Sequence, residues 1–328
     1  MTAVDPKIEL HVHLEGSIRP ASLLRIARRN DLPLPVDTVE ELAELYEFRD
    51  FVHFLEVWVM TTNCLRTAED FRQVVVDYAA EAATYGAVYL EAIFSPAERM
   101  LRGIEGKELF TGYAEGAVEA AERHGVTVRF TPDLYRTMPD MELAEQVAQL
   151  CVAYADRGVV GLGVGGMEAG HPLVPFARFF EIVRGAGLGV VPHAGEAAGP
   201  DSIREALALG ADRLRHGIRA VEDPTLLTEL ADRGTVLDVC PTSNLRTRVV
   251  TELDQHPLPR LREAGVPCSI STDDPAMFDT DLGREYALAD RLGVGAADAY
   301  AAGLAGVLCD MATRDRLAEI GRTATWSA

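Results

Sequence analysis

At 328 residues, 48% hydrophobic and 25% charged, the chain is long enough for one barrel-sized domain or two ordinary ones. Its 51 acidic and 31 basic side chains leave a formal charge of −20, which argues against nucleic acid or an anionic membrane as the main partner, since both need a basic footprint. Five scattered cysteines, never in a Cys-x-x-Cys pair, argue against a disulfide framework or a cysteine-based metal site. No apolar run is long enough to span a bilayer. The first residues lack the basic and apolar regions of a secretory signal, so the expectation is a cytoplasmic protein.

In chain order, the first element is Lys7-Ile8-Glu9-Leu10-His11-Val12-His13, followed by Leu14-Glu15-Gly16-Ser17. Residues two apart in an extended chain point to one face, so His11 and His13 can reach the same point at a strand end. Alone they would be ordinary polar residues of a half-buried strand; a metal site needs further ligands downstream. A helix with Arg28 and Arg29 in its last turn covers 20–30. The stretch 36–66 carries Leu45, Tyr46, Phe48, Phe51, Phe54, Leu55, Trp58 and Met60, which predicts two short inserted helices, either a packed insertion or a lid.

From residue 68 the pattern alternates. Helical stretches at 68–85, 107–124, 140–157, 172–186, 201–210, 223–233, 257–264, 281–292 and 296–321 separate apolar runs at 87–94, 126–135, 159–166, 188–193, 213–218, 236–241 and 267–271. With 8–13 these make eight strands in parallel βαβ units, which predicts an α/β fold of the (β/α)8 TIM-barrel class, one domain over 1–328 with the helical insertion after the first strand. Polar clusters follow the strand runs: Ser95-Pro96, Gly163-Val164-Gly165-Gly166-Met167-Glu168, His193-Ala194-Gly195-Glu196, Arg215-His216-Gly217, Pro241-Thr242-Ser243-Asn244 and Ser271-Thr272-Asp273-Asp274-Pro275. The C-terminal rim of such a barrel is where active sites lie.

His11, His13 and His193 offer three nitrogen ligands and Asp273 an oxygen, a set that suits zinc and, less selectively, iron, cobalt or manganese. His216 is then free to act as a base or to stabilise developing charge, and Glu196 is placed to exchange a proton with a substrate. His53, His124, His171 and His256 lack such a setting and read as surface or packing residues. The glycines of 163–166 lack a phosphate-binding pattern and read as close backbone approach to a flat ligand.

These motifs, in this order from Lys7 to about Arg322, resemble the adenosine deaminase family of the amidohydrolase superfamily. The resemblance implies one catalytic zinc per chain on His11, His13, His193 and Asp273. It implies that Glu196 protonates purine N1, that His216 helps deprotonate the attacking water at C6, that Asp274 meets N7 and that the Gly166 backbone meets N3, with ammonia released and a 6-oxo product formed. Glu15 would face the sugar hydroxyls, and Phe51, Phe54 and Leu55 would cover the pocket. The motif that usually reads Gly-x-Asp-Leu-Ala-Gly-x-Glu lacks its aspartate here, Arg215 replaces a glycine, and Arg246 stands where glutamine is frequent. Such a glycine-rich loop is similar to that of enzymes resembling aminodeoxyfutalosine deaminase, whose substrate carries a carboxyphenyl ketone at its 5′ end, and Arg246 is either the group that binds that carboxylate or a surface residue. The expected substrate is therefore the menaquinone-pathway nucleoside or adenosine. Adenine deamination, and hydrolysis of an amide or lactone, are the alternatives; homo-oligomerisation is left open.

Overall fold

A computed structural model describes residues 4–326. The first apolar run folds as β1 (Lys7–His13), parallel to β2 (Ala87–Ile93), which pairs with β3 (Thr127–Phe130). Next, β4 (Asp133–Tyr135) pairs with β5 (Gly161–Gly165), and β5 with β6 (Gly189–Val190). A last parallel ladder runs β7 (His193–Ala194), β8 (Leu214–His216), β9 (Leu237–Val239) and β10 (Cys268–Ile270). The ring closes just past β10, where His13 N–H donates to the Asp273 carbonyl at 2.7 Å and Asp273 N–H to the His11 carbonyl at 3.0 Å. This is the (β/α)8 barrel, and its closure carries Asp273 onto the two histidines of β1.

Two of the eight barrel positions are split, the third into β3 and β4 and the fifth into β6 and β7. Pro132 and Pro192 fall in the gaps; proline has no N–H to give the ladder. The stretch 296–321 likewise forms two helices, Ala296–Gly306 and Met311–Thr323. Asp310 accepts from Thr313 N–H and caps the second, a turn preference that outweighs the continuous helical periodicity.

Between β1 and β2 lie α1 (Pro20–Arg29), α2 (Val39–Leu45), α3 (Phe51–Thr62) and α4 (Ala68–Thr84). Capping boxes at Thr38–Glu41 and Thr67–Asp70 start α2 and α4. The Phe54 ring of α3 packs 5.3 Å from Phe48 and 5.1 Å from Phe278, on the loop after β10. The inserted helices are thereby fastened over the same rim that carries the polar clusters. Below that rim the interior holds a fully buried ion network in place of a purely apolar layer. Arg213 lies 2.8 Å from Glu91 and 2.6 Å from Asp238, each charge compensated by a partner.

Candidate active site

Four ligand-type side chains meet at the C-terminal rim. Both His11 Nε2 and His13 Nε2 lie 3.3 Å from Asp273 Oδ1, and His13 Nε2 lies 3.3 Å from His193 Nε2. Burial, with neighbouring positive groups, pushes the His13 and His193 imidazoles well below their ordinary pKa, so their nitrogens are neutral lone-pair donors. Burial opposes the charge on Asp273, yet the imidazoles of His11, His216 and His13 hold its carboxyl well below the usual range. His11 Nε2 is buried with no hydrogen-bond partner among the described residues. His193 Nδ1 sits 3.2 Å from the Val164 carbonyl and 3.4 Å from Asp133 Oδ2, which places the ring proton on Nδ1 and leaves Nε2 free. Ligand atoms brought this close fit a cation, and three imidazoles with one carboxylate are a donor set that could hold a metal ion.

Beside this cluster stand two carboxyls whose surroundings favour the protonated form. Burial, and then the charges of Asp273 and Glu168, raises Glu196 well above the ordinary value. Burial and the charge of Asp273 do the same to Asp274, whose Oδ1 accepts from the Trp58 indole N–H at 2.8 Å. Gly16 makes this approach feasible, because a Cβ there would fall 1.7 Å from Asp274 Oδ1. His216 Nε2 lies 3.5 Å from Glu196 Oε2 and 3.7 Å from Asp273 Oδ2. Burial and His11 hold His216 down to about 3. His216 and Asp273 both take positive φ, 63° and 65°, a conformation costly for non-glycine residues and concentrated at functional sites.

The geometry also places the other residues singled out from the sequence. Glu15 is not among the cavity's lining residues: its Oε1 accepts from Ser95 N–H at 2.9 Å and lies 3.7 Å from Arg99, while its Oε2 is buried without a hydrogen-bond partner among the described residues. Arg246 is turned outward, donating to the Tyr46 carbonyl at 2.9 Å and paired with Glu47 at 3.1 Å. Gly163 and Gly165 of β5 make room for protein side chains. A Cβ at Gly163 would fall 2.1 Å from Asp133 Oδ1 and 2.3 Å from Arg215, and one at Gly165 would fall 2.8 Å from Asp133 and 3.1 Å from His193. Asp133 pairs with Arg215 and faces His193. Of the two readings of His256, surface or packing, its burial against Asn244 fits packing. Phe51, Phe54, Leu55, Gly166, His193, Glu196, His216, Asp273 and Asp274 do share one cavity.

Glu168 is a further residue with a defined task. Its carboxylate accepts the backbone N–H groups of Gly195, Glu196, Ala197 and Ala198 at 2.5, 3.1, 2.7 and 2.8 Å, fixing the loop that carries Glu196. Glu168→Ala leaves four donors without their acceptor and lets Glu196 shift. The expected result is a kcat lower by about 10²-fold with a lower melting temperature, read by steady-state kinetics and calorimetry.

Residues 6–319 match the family model described as adenosine deaminase. The chain is 53% identical over 329 residues to an aminodeoxyfutalosine deaminase of Acidothermus cellulolyticus, covering 98% of this chain and 92% of that protein. It is 37% identical to an adenine deaminase of Rhodospirillum rubrum over 83% of this chain and 81% of that one. Among solved structures it resembles the adenine deaminase from Arthrobacter aurescens, with a TM-score of 0.91 and 30% identity over 97% of this chain and 98% of the other.

Proposed function

The chain belongs to the adenosine deaminase family and is an enzyme that hydrolyses purine amino groups, and on that premise we propose that its substrate is aminodeoxyfutalosine. The observation that carries this choice is the size and lining of the cavity. It encloses about 490 Å³ and runs from His13, His193, Glu196, His216, Asp273 and Asp274 to a wall of Phe51, Val52, Leu55, Val59, Tyr135 and Met167. Val52, 47% exposed, is the part of this wall that reaches solvent. A free purine would fill only the polar end, whereas an aromatic group on the sugar's 5′ position would bury its ring against the apolar wall. No lysine or arginine is among the lining residues, so the substrate's carboxylate stays hydrated at the mouth.

His11, His13, His193 and Asp273 would hold a single zinc ion. When bound, the metal supplies water acidified to near neutrality. Glu196, still protonated, donates its proton to N1 and makes C6 electrophilic. Ring nitrogen N7 is an acceptor; protonated Asp274 donates to it, with its other oxygen occupied by Trp58. The Gly166 backbone borders the N3 edge. His216 stands over the attacked face and meets the charge that develops on the incoming oxygen; the carboxylate left on Glu196 takes up the proton that the water loses, and the remaining hydroxyl proton passes to the amino group, which leaves as ammonia.

Incubation of the zinc-loaded protein with aminodeoxyfutalosine should yield the 6-oxo nucleoside and an equimolar amount of ammonia by mass spectrometry and ammonia assay; an unaltered nucleoside sinks the proposal. Leu55→Ala removes part of the apolar wall and should raise KM for this substrate by about tenfold, while the kinetics on free adenine stay nearly unchanged. An equal effect on both substrates would place Leu55 in the fold and not in recognition.

A further inference from the structure

Asn244 and His256 lie outside the cavity lining and touch no substrate position, yet they form a buried chain that ends on His216. Asn244, His256 and His216 are 0%, 3% and 1% exposed. The chain starts at a donor whose identity is unambiguous, the backbone N–H of Leu258, the first residue of the helix Leu258–Glu263. That N–H donates to His256 Nδ1 at 3.1 Å, so Nδ1 is an acceptor. In a neutral imidazole the other nitrogen then carries the proton, and burial keeps His256 neutral, its pKa lowered to about 4. His256 Nε2–H therefore donates to Asn244 Oδ1 at 3.2 Å. This sets the orientation of the amide and directs its Nδ2–H at His216 Nδ1, 3.3 Å away. His216 Nδ1 is thus an acceptor as well, and its proton resides on Nε2.

We infer that Leu258, His256 and Asn244 form a relay that fixes His216 as the Nε2–H tautomer, so that His216 acts in the reaction as a hydrogen-bond donor and not as the base. Nε2 is the atom that faces Glu196 and Asp273. With a proton already on Nε2 and an amide N–H filling Nδ1, the ring has no free lone pair with which to take a proton from water. It instead presents N–H to the oxygen that gains negative charge as C6 becomes tetrahedral. Asn244 and His256 are positioning residues acting through His216. The catalytic half of this inference rests on the proposed deamination; the tautomer does not.

The test uses Asn244→Asp. A carboxylate is acceptor-only, so it takes Nδ1–H from His216 and Nε2–H from His256 and reverses the His216 tautomer with little change of shape. Long-range 1H–15N correlation spectra of histidine-labelled, zinc-loaded protein should show Nε2–H for His216 in the wild type and Nδ1–H in N244D, with the resonance assigned by its absence from H216N. On whichever 6-aminopurine the wild type turns over, kcat should fall about 10²-fold with KM nearly unchanged. His256→Phe should lower kcat similarly, whereas His256→Gln, which can accept from Leu258 N–H and donate to Asn244, should restore most of it; this pair carries the kinetic test if N244D does not fold. A wild-type His216 protonated on Nδ1, or an N244D enzyme with the tautomer reversed and kcat unchanged, overturns the inference. Because the spectra need no substrate, failure of the wild type to deaminate any 6-aminopurine would refute the proposed function and leave the tautomer assignment standing.

Discussion

Glu196→Gln should lower kcat for deamination by about 10²–10⁴-fold, the usual worth of a positioned general acid, while metal content and fold stay as in the wild type. Glutamine matches glutamate in shape, so the space beside His216 stays filled, and the loop remains held through Glu168 and the backbone N–H groups of residues 195–198. What disappears is a transferable proton. Burial and the charges of Asp273 and Glu168 keep that proton on Glu196 well above the pH at which an exposed glutamate has lost it. The sign follows: the raised pKa carries the protonated donor to higher pH than an exposed glutamate would allow, and the wild-type rate falls on the alkaline side as Glu196 ionises. The variant should lose this limb along with its activity. Steady-state kinetics over a pH series, with metal analysis of the same samples, checks both; a variant that keeps its turnover would remove Glu196 from the proton-donor role.

Stripping the metal with a chelator should abolish turnover and lower the melting temperature, and one equivalent of zinc should restore both. The structural reason is the packing of His11, His13, His193 and Asp273, whose ligand atoms approach to 3.3 Å. A cation that binds this arrangement and not the unfolded chain stabilises the fold by mass action. The carboxylate and the orphaned His11 nitrogen are costly to bury without it. Metal analysis and calorimetry on the stripped and reloaded protein give the readouts. Two tightly held ions per chain, or unchanged activity after complete removal, would contradict a single catalytic zinc.

Much of this was legible in the sequence because strand-end chemistry is local. His11 and His13 share a face through the period of two, and His193, His216 and Asp273 each follow an apolar run, so the barrel pattern alone brings them to one rim. Side chains whose meaning depends on a neighbouring strand were not legible. Asp133 lies after Pro132, within a strand read as continuous, and its importance arises from Arg215 and His193 across the barrel. The same contact explains Gly163 and Gly165, whose missing side chains vacate the volume that Asp133 and Arg215 fill. Arg246 shows the converse case: its number placed it next to Ser243-Asn244, but one helical turn points it outward to Glu47. His256 carries no motif at all, since its link to the site passes through the Asn244 amide.

The most direct test is the ratio of kcat/KM values for aminodeoxyfutalosine, adenosine and adenine, measured on one zinc-loaded preparation by the loss of 6-aminopurine absorbance. Burial of an aromatic ring against Phe51, Leu55 and Tyr135 predicts that aminodeoxyfutalosine exceeds both others by about tenfold or more. Adenine turned over as well as the extended nucleoside, or better, would contradict the account and return the apolar wall to a purely structural role.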